Sequence, residues 1–231
     1  MKNNAKERVG IFGGSFDPVH RGHIGLATGA RGKFQLDSVL FIPAYLSPHK
    51  QDSAPAPAHH RLAMLEIALA PHPAFSASEV ELLKKGVSFT VDTLAHLTTL
   101  HPDTDFFLIM GIDAFMGLKT WKSVHRLLEM CHVIVATRPG YPRDGAEDCL
   151  KNLFPAQEGA YSPATLEGDV TVFHHPEKNT TINFFDLPPA DIASRDIRDR
   201  TRRHLEIKNM LPPEVENYMI TNQLYLEQSH L

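Results

Sequence analysis

The sequence has few of the features that mark disulfide-rich, membrane-spanning or nucleic-acid-binding proteins. Two of its 231 residues are cysteine, too few for a disulfide framework or a thiolate metal cage. No window approaches about eighteen uninterrupted apolar residues, and the polar N-terminus lacks the apolar stretch of a signal peptide. The net charge of −4 provides no basic footprint for a nucleic acid or an anionic membrane. These absences favour small-molecule partners and predict a cytoplasmic protein with neither a nucleic-acid nor a membrane partner.

The sequence does contain a regular alternation of short apolar runs and longer amphipathic segments. Runs that are apolar at every position predict strands buried on both faces, and the intervening segments have helical periodicity. This order predicts an α/β fold, a doubly wound, Rossmann-like parallel sheet with helices on both faces. The predicted strands span residues 9–12, 38–42, 106–110, 133–136, 170–173 and 182–187, and the predicted helices span residues 22–33, 58–70, 90–100 and 123–130.

The spacing of proline and glycine suggests how the chain is organised. Residues 1–190 are predicted to form the α/β core, which includes a long irregular connection at about 140–168. Residues 191–231 are predicted to form a small helical subdomain. One of its helices begins near Ser194, and another follows Pro212 and Pro213 and finishes at Tyr225.

The strongest local signal is the segment 10–23, with the sequence GIFGGSFDPVHRGH. Gly13 and Gly14 follow a predicted strand directly, so a ligand can approach the backbone there, and Ser15 adds an amide and a hydroxyl. Such a turn suits phosphate, but the Gly-x-Gly-x-x-Gly and Gly-Lys-Ser/Thr motifs are both absent. The segment therefore disfavours both hydride transfer on a dinucleotide fold and P-loop kinase chemistry.

His20 and His23 lie three positions apart at the predicted start of a helix, so both imidazoles share one helical face. The unpaired amides and the positive dipole end of that helix favour an anion at the same place. Two other interpretations remain open. The pair has the spacing of a metal site, although no nearby Cys or Glu completes a ligand set, and both residues are also typical surface or capping histidines.

The segment from Gly13 to His23 resembles the nucleotidyltransferase signature in its bacterial nicotinate-nucleotide adenylyltransferase form. Phosphopantetheine adenylyltransferases have a similar loop, but they are typically much shorter. The resemblance implies transfer of AMP from ATP to nicotinate mononucleotide, forming nicotinate adenine dinucleotide and pyrophosphate in NAD biosynthesis. It implies direct in-line attack without a covalent intermediate, with His20 and His23 as catalytic residues at the ATP phosphates.

Three further motifs resemble the parts of this family that bind the mononucleotide. Lys50, in a Pro-His-Lys segment, would reach toward phosphate, although a lone loop lysine is ordinarily a solvated charge. Thr90 would open a helix whose amides receive the nicotinate carboxylate, and Ser88 or Thr90 is also simply a good helix N-cap. Trp121 would stack on the pyridine ring, whereas a single tryptophan is more often partly buried packing.

The remaining motifs resemble the family's ATP-binding elements. Ser194 and Arg198 match its Ile-Ser-Ser-Thr-x-Ile-Arg pattern, and Arg198 is implied as a third catalytic residue. Ala193 and Arg195 depart from that pattern, so the contacts to the triphosphate are expected to differ. The implied ATP-binding residues are Gly13, Gly14, Ser15, Phe16, Gly111, Asp113, Arg138, Ser194 and Arg195.

The resemblance implies ATP and nicotinate mononucleotide as partners. It also implies Mg²⁺ bound through the ATP phosphates, with no protein residue assigned as a metal ligand. Two alternatives stay open. One is an adenylyltransferase that prefers nicotinamide mononucleotide, and the other is a non-catalytic nucleotide-sensing protein of the same fold. Ala193 and Arg195 support the second alternative, whereas the intact His20, Gly22 and His23 argue against it.

Overall fold

The structure of the protein is a computed structural model that describes most of the chain. The described residues are 6–48, 55–137, 148, 150, 161–167, 170–175, 177–188 and 190–226, with the backbone alone described over 162–167. Lys50 and Arg138 lie outside these residues, as does most of the connection at about 140–168.

Within the described residues, eight strands form one sheet in the order β3-β2-β1-β4-β5-β8-β7-β6. Strand β4 pairs in parallel with β1 and β5, and β5 pairs in parallel with β8. Strand β7 is antiparallel to both β8 and β6. The strands are β1 (Glu7–Gly14), β2 (Ser38–Pro43), β3 (Phe75–Ala77), β4 (Thr104–Gly111), β5 (His132–Thr137), β6 (Ser162–Glu167), β7 (Val170–His174) and β8 (Thr181–Asp186).

The helices lie mainly between the strands. Those described are α1 (Arg21–Lys33), α2 (Ala58–Leu69), α3 (Val80–Lys84), α4 (Thr90–Leu100), α5 (Ile112–Met116), α6 (Val124–Met130), α7 (Ser194–Arg202) and α8 (Pro213–Thr221), with a short 3-10 helix at Leu118–Thr120. Because the strand order reverses between β1 and β4, right-handed crossovers place helices on both faces of the sheet. The predicted doubly wound α/β fold is confirmed. None of the described helices is both long and apolar enough to cross a membrane.

Several details differ from the sequence-based predictions. A parallel sheet was predicted, whereas β7 is antiparallel to both of its neighbours. Strand β6 lies within the connection that was predicted to be irregular. Pro163 is tolerated there because β6 is the edge strand and its pairing with β7 is irregular next to Pro163. The last helix ends at Thr221 rather than Tyr225. Gln223 and Tyr225 adopt positive φ angles of 52° and 64°, which cannot continue a right-handed helix.

The chain divides into two compact units. The first unit comprises Met1–Phe12, Gly29–Val39 and Phe89–Pro189, and the second comprises Gly13–Thr28, Leu40–Ser88 and Ala190–Leu231. In the first unit the middle of β5 is fully buried and α4 packs against α6. In the second unit α2 packs against β3 and α8. The predicted division into a core at 1–190 and a subdomain at 191–231 stays a prediction.

Candidate active site

Phe16 lies in the turn between β1 and α1, in the second unit, and its ring packs into the core. This residue has a positive φ of 46°, and its ring is only 1% exposed. The ring packs edge-on against His23, with 5.1 Å between centroids, and tilted against Phe41 at 5.7 Å. Its side chain therefore belongs to the core, and only its backbone is placed to serve the ATP-binding role predicted for it. Gly14 lies close to the Phe16 ring, since a Cβ added at Gly14 would come 3.1 Å from it.

Arg61 holds this turn in place from inside the protein. Its guanidinium is buried and donates through Nη1 to the carbonyl oxygens of Ser15 (2.8 Å) and Ala44 (2.7 Å). Nε donates to the Ala56 carbonyl at 2.9 Å, and Nη2 donates to that of Tyr45 at 3.2 Å. One cation thus joins the turn to the chain segments on both sides of residues 49–54. Its burial is compensated by these carbonyl acceptors, as a buried charge requires.

Arg61 belongs to none of the motifs predicted from the sequence, although the pattern of α2 contains a signal for it. Arg61 shares the buried face of α2 with Met64 and Leu65, which follow it at helical spacing. A cation at an apolar position of an amphipathic helix needs buried acceptors. Burial lowers the pKa of Arg61, whereas Asp17 and Tyr225 raise it, and arginine remains a cation in this setting.

His20 and His23 form a stacked pair at the start of α1. Their rings lie 3.6 Å apart at an angle of 28°. The backbone N–H of His20 donates to Nδ1 of His23 at 3.2 Å, so a neutral His23 carries its proton on Nε2. His23 is thereby fixed as an Nε2–H donor.

His20 is 6% exposed, and its Nδ1 has no hydrogen-bond partner among the described residues. Burial lowers the pKa of His20 to about 4, so its imidazole is neutral near pH 7. A ligand at this site would meet an N–H donor rather than a fixed positive charge on His20. The cationic and dipolar contributions then come from Arg198 and the start of α1.

Gly22, between the two histidines, is needed for space. A Cβ at this position would lie 3.0 Å from Nδ1 of His20 and 3.1 Å from Cε1 of the same ring. Any larger residue must therefore move the His20 ring or the backbone that carries it.

The start of α7 contacts the same turn. Ser194 Oγ donates to the Pro18 carbonyl at 2.9 Å, and Arg198 Nη1 donates to the Asp17 carbonyl at 2.7 Å. The structure thus brings two of the predicted ATP-binding and catalytic side chains to the histidine turn within the second unit. Arg195 is exposed, and α7 has Ala193 at its N-cap without a side-chain capping bond. Ala193, one of the two departures from the family pattern, therefore leaves α7 without a capping side chain at its N-cap.

In the first unit, the start of α4 is also uncapped. Phe89 is the N-cap, and α4 has no side-chain capping bond in the part of the chain that the structure describes, so the interpretation of Ser88 or Thr90 as a side-chain cap is wrong. The Ser88 hydroxyl instead accepts the Tyr45 N–H at 3.1 Å in the second unit. Lys122 Nζ lies 2.9 Å from Asp92 Oδ2 in the first turn of α4 and 4.6 Å from the Phe89 ring centroid.

The remaining predicted residues of the first unit lie at exposed or partly exposed positions. Trp121 is partly exposed. It directly precedes Lys122, the residue that contacts Asp92 in the first turn of α4. Gly111 is the N-cap of α5 at the end of β4, and Asp113 is exposed in the first turn of that helix. Within the described part of the chain, no group of three or more His, Cys, Asp or Glu side chains is arranged to hold a metal ion.

Comparisons with known proteins support the resemblance seen in the motifs. Residues 11–200 match the model of the cytidylyltransferase-like family. The chain is 36% identical to a protein of Moorella thermoacetica over 94% of this chain and 91% of that protein. It is 37% identical to a protein of Desulfatibacillum aliphaticivorans over 95% of this chain and 100% of that protein. Both are named probable nicotinate-nucleotide adenylyltransferases.

Among solved structures, the fold is similar to that of Plasmodium falciparum nicotinic acid mononucleotide adenylyltransferase complexed with NaAD. The TM-score is 0.69 at 20% identity, over 95% of this chain and 97% of that one. This similarity establishes the fold, whereas the sequence relatives establish the family.

Proposed function

The chain belongs to the nicotinate-nucleotide adenylyltransferases within the cytidylyltransferase-like family, and on this basis we propose that it transfers AMP from ATP to nicotinate mononucleotide. The products are nicotinate adenine dinucleotide, used in NAD biosynthesis, and pyrophosphate. The observation that carries the proposal is the stacked His20 and His23 pair at the start of α1, on the turn that Arg198 contacts.

The reaction is a single displacement at the α-phosphorus of ATP. A phosphate oxygen of the mononucleotide forms the new P–O bond as the bond to the β-phosphate oxygen breaks, and pyrophosphate leaves with that electron pair. The attacking phosphate is largely a dianion at neutral pH, since its second pKa is about 6, so no general base is required. The protein contributes alignment and stabilisation of the charge on the phosphoryl oxygens.

His23 and His20 serve as hydrogen-bond donors to those oxygens. The tautomer of His23 is set by the bond from the His20 backbone, and the neutral state of His20 is set by burial. Preorganised donors of this kind stabilise developing charge with little reorganisation during the reaction. Arg198 supplies the fixed cation, and Gly13, Gly14, Ser15 and the backbone of Phe16 complete the phosphate turn.

The mononucleotide is proposed to bind at the start of α4 and at Trp121. The uncapped amides at the start of α4 favour a carboxylate on the pyridine ring, and the indole offers a flat face for stacking. An amide in place of that carboxylate would lose the charge interaction. This electrostatic difference favours nicotinate mononucleotide over nicotinamide mononucleotide as the acceptor.

Four other residues are proposed to bind nucleotide. Asp113 and Gly111 would contact the adenosine, with the Asp113 carboxylate accepting from ribose hydroxyls, and Ser194 and Arg195 would contact the triphosphate. Lys50 and Arg138 lie outside the described residues, so their roles stay predictions. The predicted cytoplasmic location also stays a prediction.

Mg²⁺ is proposed to bind through the ATP phosphates. Since the described residues include no cluster of metal-ligating side chains, the phosphate oxygens and water are the natural ligands. When bound, the ion would neutralise charge on the triphosphate and on the leaving pyrophosphate.

Pyrophosphate release from ATP tests the proposed function. Nicotinate mononucleotide and nicotinamide mononucleotide are supplied in turn, with Mg²⁺, and the dinucleotide product is identified by mass. We expect release that depends on the acid. Release that depends on the amide would instead identify an enzyme selective for nicotinamide mononucleotide, and ATP binding without release would identify a nucleotide-sensing protein.

A further inference from the structure

Asp17 connects three separate segments of the second unit. Its Oδ1 accepts the Tyr225 hydroxyl at 2.7 Å and the Ala56 N–H at 3.1 Å. Its carbonyl oxygen accepts Arg198 Nη1 at 2.7 Å, and the same nitrogen lies 3.6 Å from Oδ2. Because Asp17 is only 6% exposed, these bonds hold a carboxylate that has little contact with water. The position of Arg198 therefore depends on the position of Asp17.

Tyr225 is the longest-range of these contacts, since 208 positions separate it from Asp17. The left-handed backbone at Tyr225 redirects the chain after α8, and Leu224 beside it is buried. Burial and the neighbouring Asp17 both raise the pKa of Tyr225, so its hydroxyl remains protonated. Because Asp17 Oδ1 is an acceptor, the proton of this hydroxyl is directed at the carboxylate.

We propose that Tyr225 is a positioning residue for adenylyl transfer. Its hydroxyl fixes the Asp17 carboxylate, and Asp17 in turn fixes the guanidinium of Arg198 beside the phosphate turn. The inference rests on the proposed function, and it adds a residue outside every motif that identified the site. Tyr225 itself has no role in contacting substrate.

Removal of the Tyr225 hydroxyl is the direct test, and the chain offers a matched control. In Tyr225→Phe, Asp17 Oδ1 loses the tyrosine hydroxyl and keeps the Ala56 N–H, so Asp17 and Arg198 gain freedom. Tyr218→Phe removes a hydroxyl with a similar bond in the same unit, but the partner of that hydroxyl is His60 Nδ1, at 3.0 Å, rather than Asp17. Each substitution removes one oxygen atom from the side chain.

We expect Tyr225→Phe to lower kcat/KM for ATP by about five- to thirtyfold, because a small misplacement of a catalytic group is costly. KM for nicotinate mononucleotide should change by less than about twofold. Tyr218→Phe should leave both parameters near wild type, and the two variants should have similar thermal unfolding midpoints. A Tyr225→Phe enzyme whose kcat/KM for ATP matches that of Tyr218→Phe would overturn the proposal.

A double-mutant cycle with Arg198→Lys separates positioning from a general structural effect. If Tyr225 acts through Arg198, adding Tyr225→Phe to Arg198→Lys should cost less than about twofold further. If the full loss reappears in the double variant, the proposed route through Arg198 is wrong. These comparisons require a wild-type enzyme that releases pyrophosphate. If the proposed function is wrong, the wild type itself will be inactive, and this result is distinct from a Tyr225→Phe variant that is as active as wild type.

Asp17→Asn provides a second variant should Tyr225→Phe fail to fold. It keeps an acceptor for the tyrosine hydroxyl and removes the charge that faces Arg198. The expected result is the same selective loss of kcat/KM for ATP. An unchanged kcat/KM for ATP in Asp17→Asn would contradict the account.

Discussion

The histidine turn of the second unit and the start of α4 in the first unit are built in opposite ways. Around the turn, Asp17, His20 and Arg61 are buried, and most of their polar atoms have partners. At the start of α4, by contrast, the helix is uncapped and Trp121 is partly exposed. Rigid, preorganised groups suit a role in the transition state, whereas open surfaces suit recognition of a substrate. The contrast predicts that the turn governs kcat and stability and that the α4 region governs KM.

Loss of Arg61 is expected to have the largest effect. Arg61→Met would leave the carbonyls of Ser15, Ala44, Tyr45 and Ala56 without their common donor. A buried acceptor left without its donor costs about 1–3 kcal/mol, so loss of the donor shared by four carbonyls should cost about 3 kcal/mol or more. Urea unfolding measures this loss. The exposed Glu66 on the same helix gives a control, because Glu66→Gln should change stability by less than about 0.5 kcal/mol. Equal stability of the two variants would show that the turn does not depend on Arg61.

The buried His20 predicts a stability that falls in mild acid. Its folded-state pKa of about 4 lies below the ordinary value of 6.5, so the unfolded chain binds more protons between these two values. The stabilisation is complete above about pH 6.5, is lost as the pH falls toward 4, and amounts to at most about 3 kcal/mol. Urea unfolding at pH 7 and pH 4.5 checks this for wild type and for His20→Asn. A pH dependence identical in the two proteins would contradict the neutral buried state of His20.

Gly22→Ala should reduce turnover without removing any donor. The new Cβ would lie 3.0 Å from Nδ1 of His20, so the ring must shift. A misplacement of this kind costs up to about 100-fold in rate. Steady-state kinetics should show a kcat about 10- to 100-fold below wild type. In Gly25→Ala, on the same helix, the added Cβ meets nothing within 4 Å and kcat should be unchanged. A Gly22→Ala enzyme as fast as Gly25→Ala would show that the placement of His20 is not critical.

Trp121→Ala should have a smaller effect, which is limited to the binding of nicotinate mononucleotide. Loss of a stacking surface is expected to raise KM for nicotinate mononucleotide about tenfold, and Trp121→Phe should recover most of that loss. KM for ATP serves as the internal control and should stay within about twofold of wild type. A fall in kcat with KM unchanged would place Trp121 with the transition-state groups and would break the contrast.

Local pattern was enough to predict much of the fold. The predicted helix 90–100 has the same bounds as α4, and the apolar runs at 9–12 and 133–136 lie inside β1 and β5. These elements are encoded by periodicity over a few residues, which a single sequence displays directly. The antiparallel strands β6 and β7 were harder to predict, because pairing direction depends on connections rather than on composition.

The part of the site that was predicted from the sequence also depends on a local pattern. The motif identifies Gly13, Gly14, His20 and His23 because they lie close together in sequence. Arg61 and Tyr225 were missed because the partners that explain them are as many as 46 and 208 positions away. A buried arginine is visible in the helical pattern of α2, whereas nothing near Tyr225 indicates Asp17 as its partner.

The most direct test of the account compares how His23→Ala and Trp121→Ala divide their losses between kcat and KM. For both variants, the concentrations of ATP and of nicotinate mononucleotide are varied in turn, each with the other substrate saturating. The account predicts that His23→Ala lowers kcat about 100-fold or more, as loss of a preorganised donor does, with both KM values within about threefold of wild type. Trp121→Ala should show the reverse division. Near wild-type turnover by His23→Ala would contradict the central claim that the histidine turn stabilises the transition state.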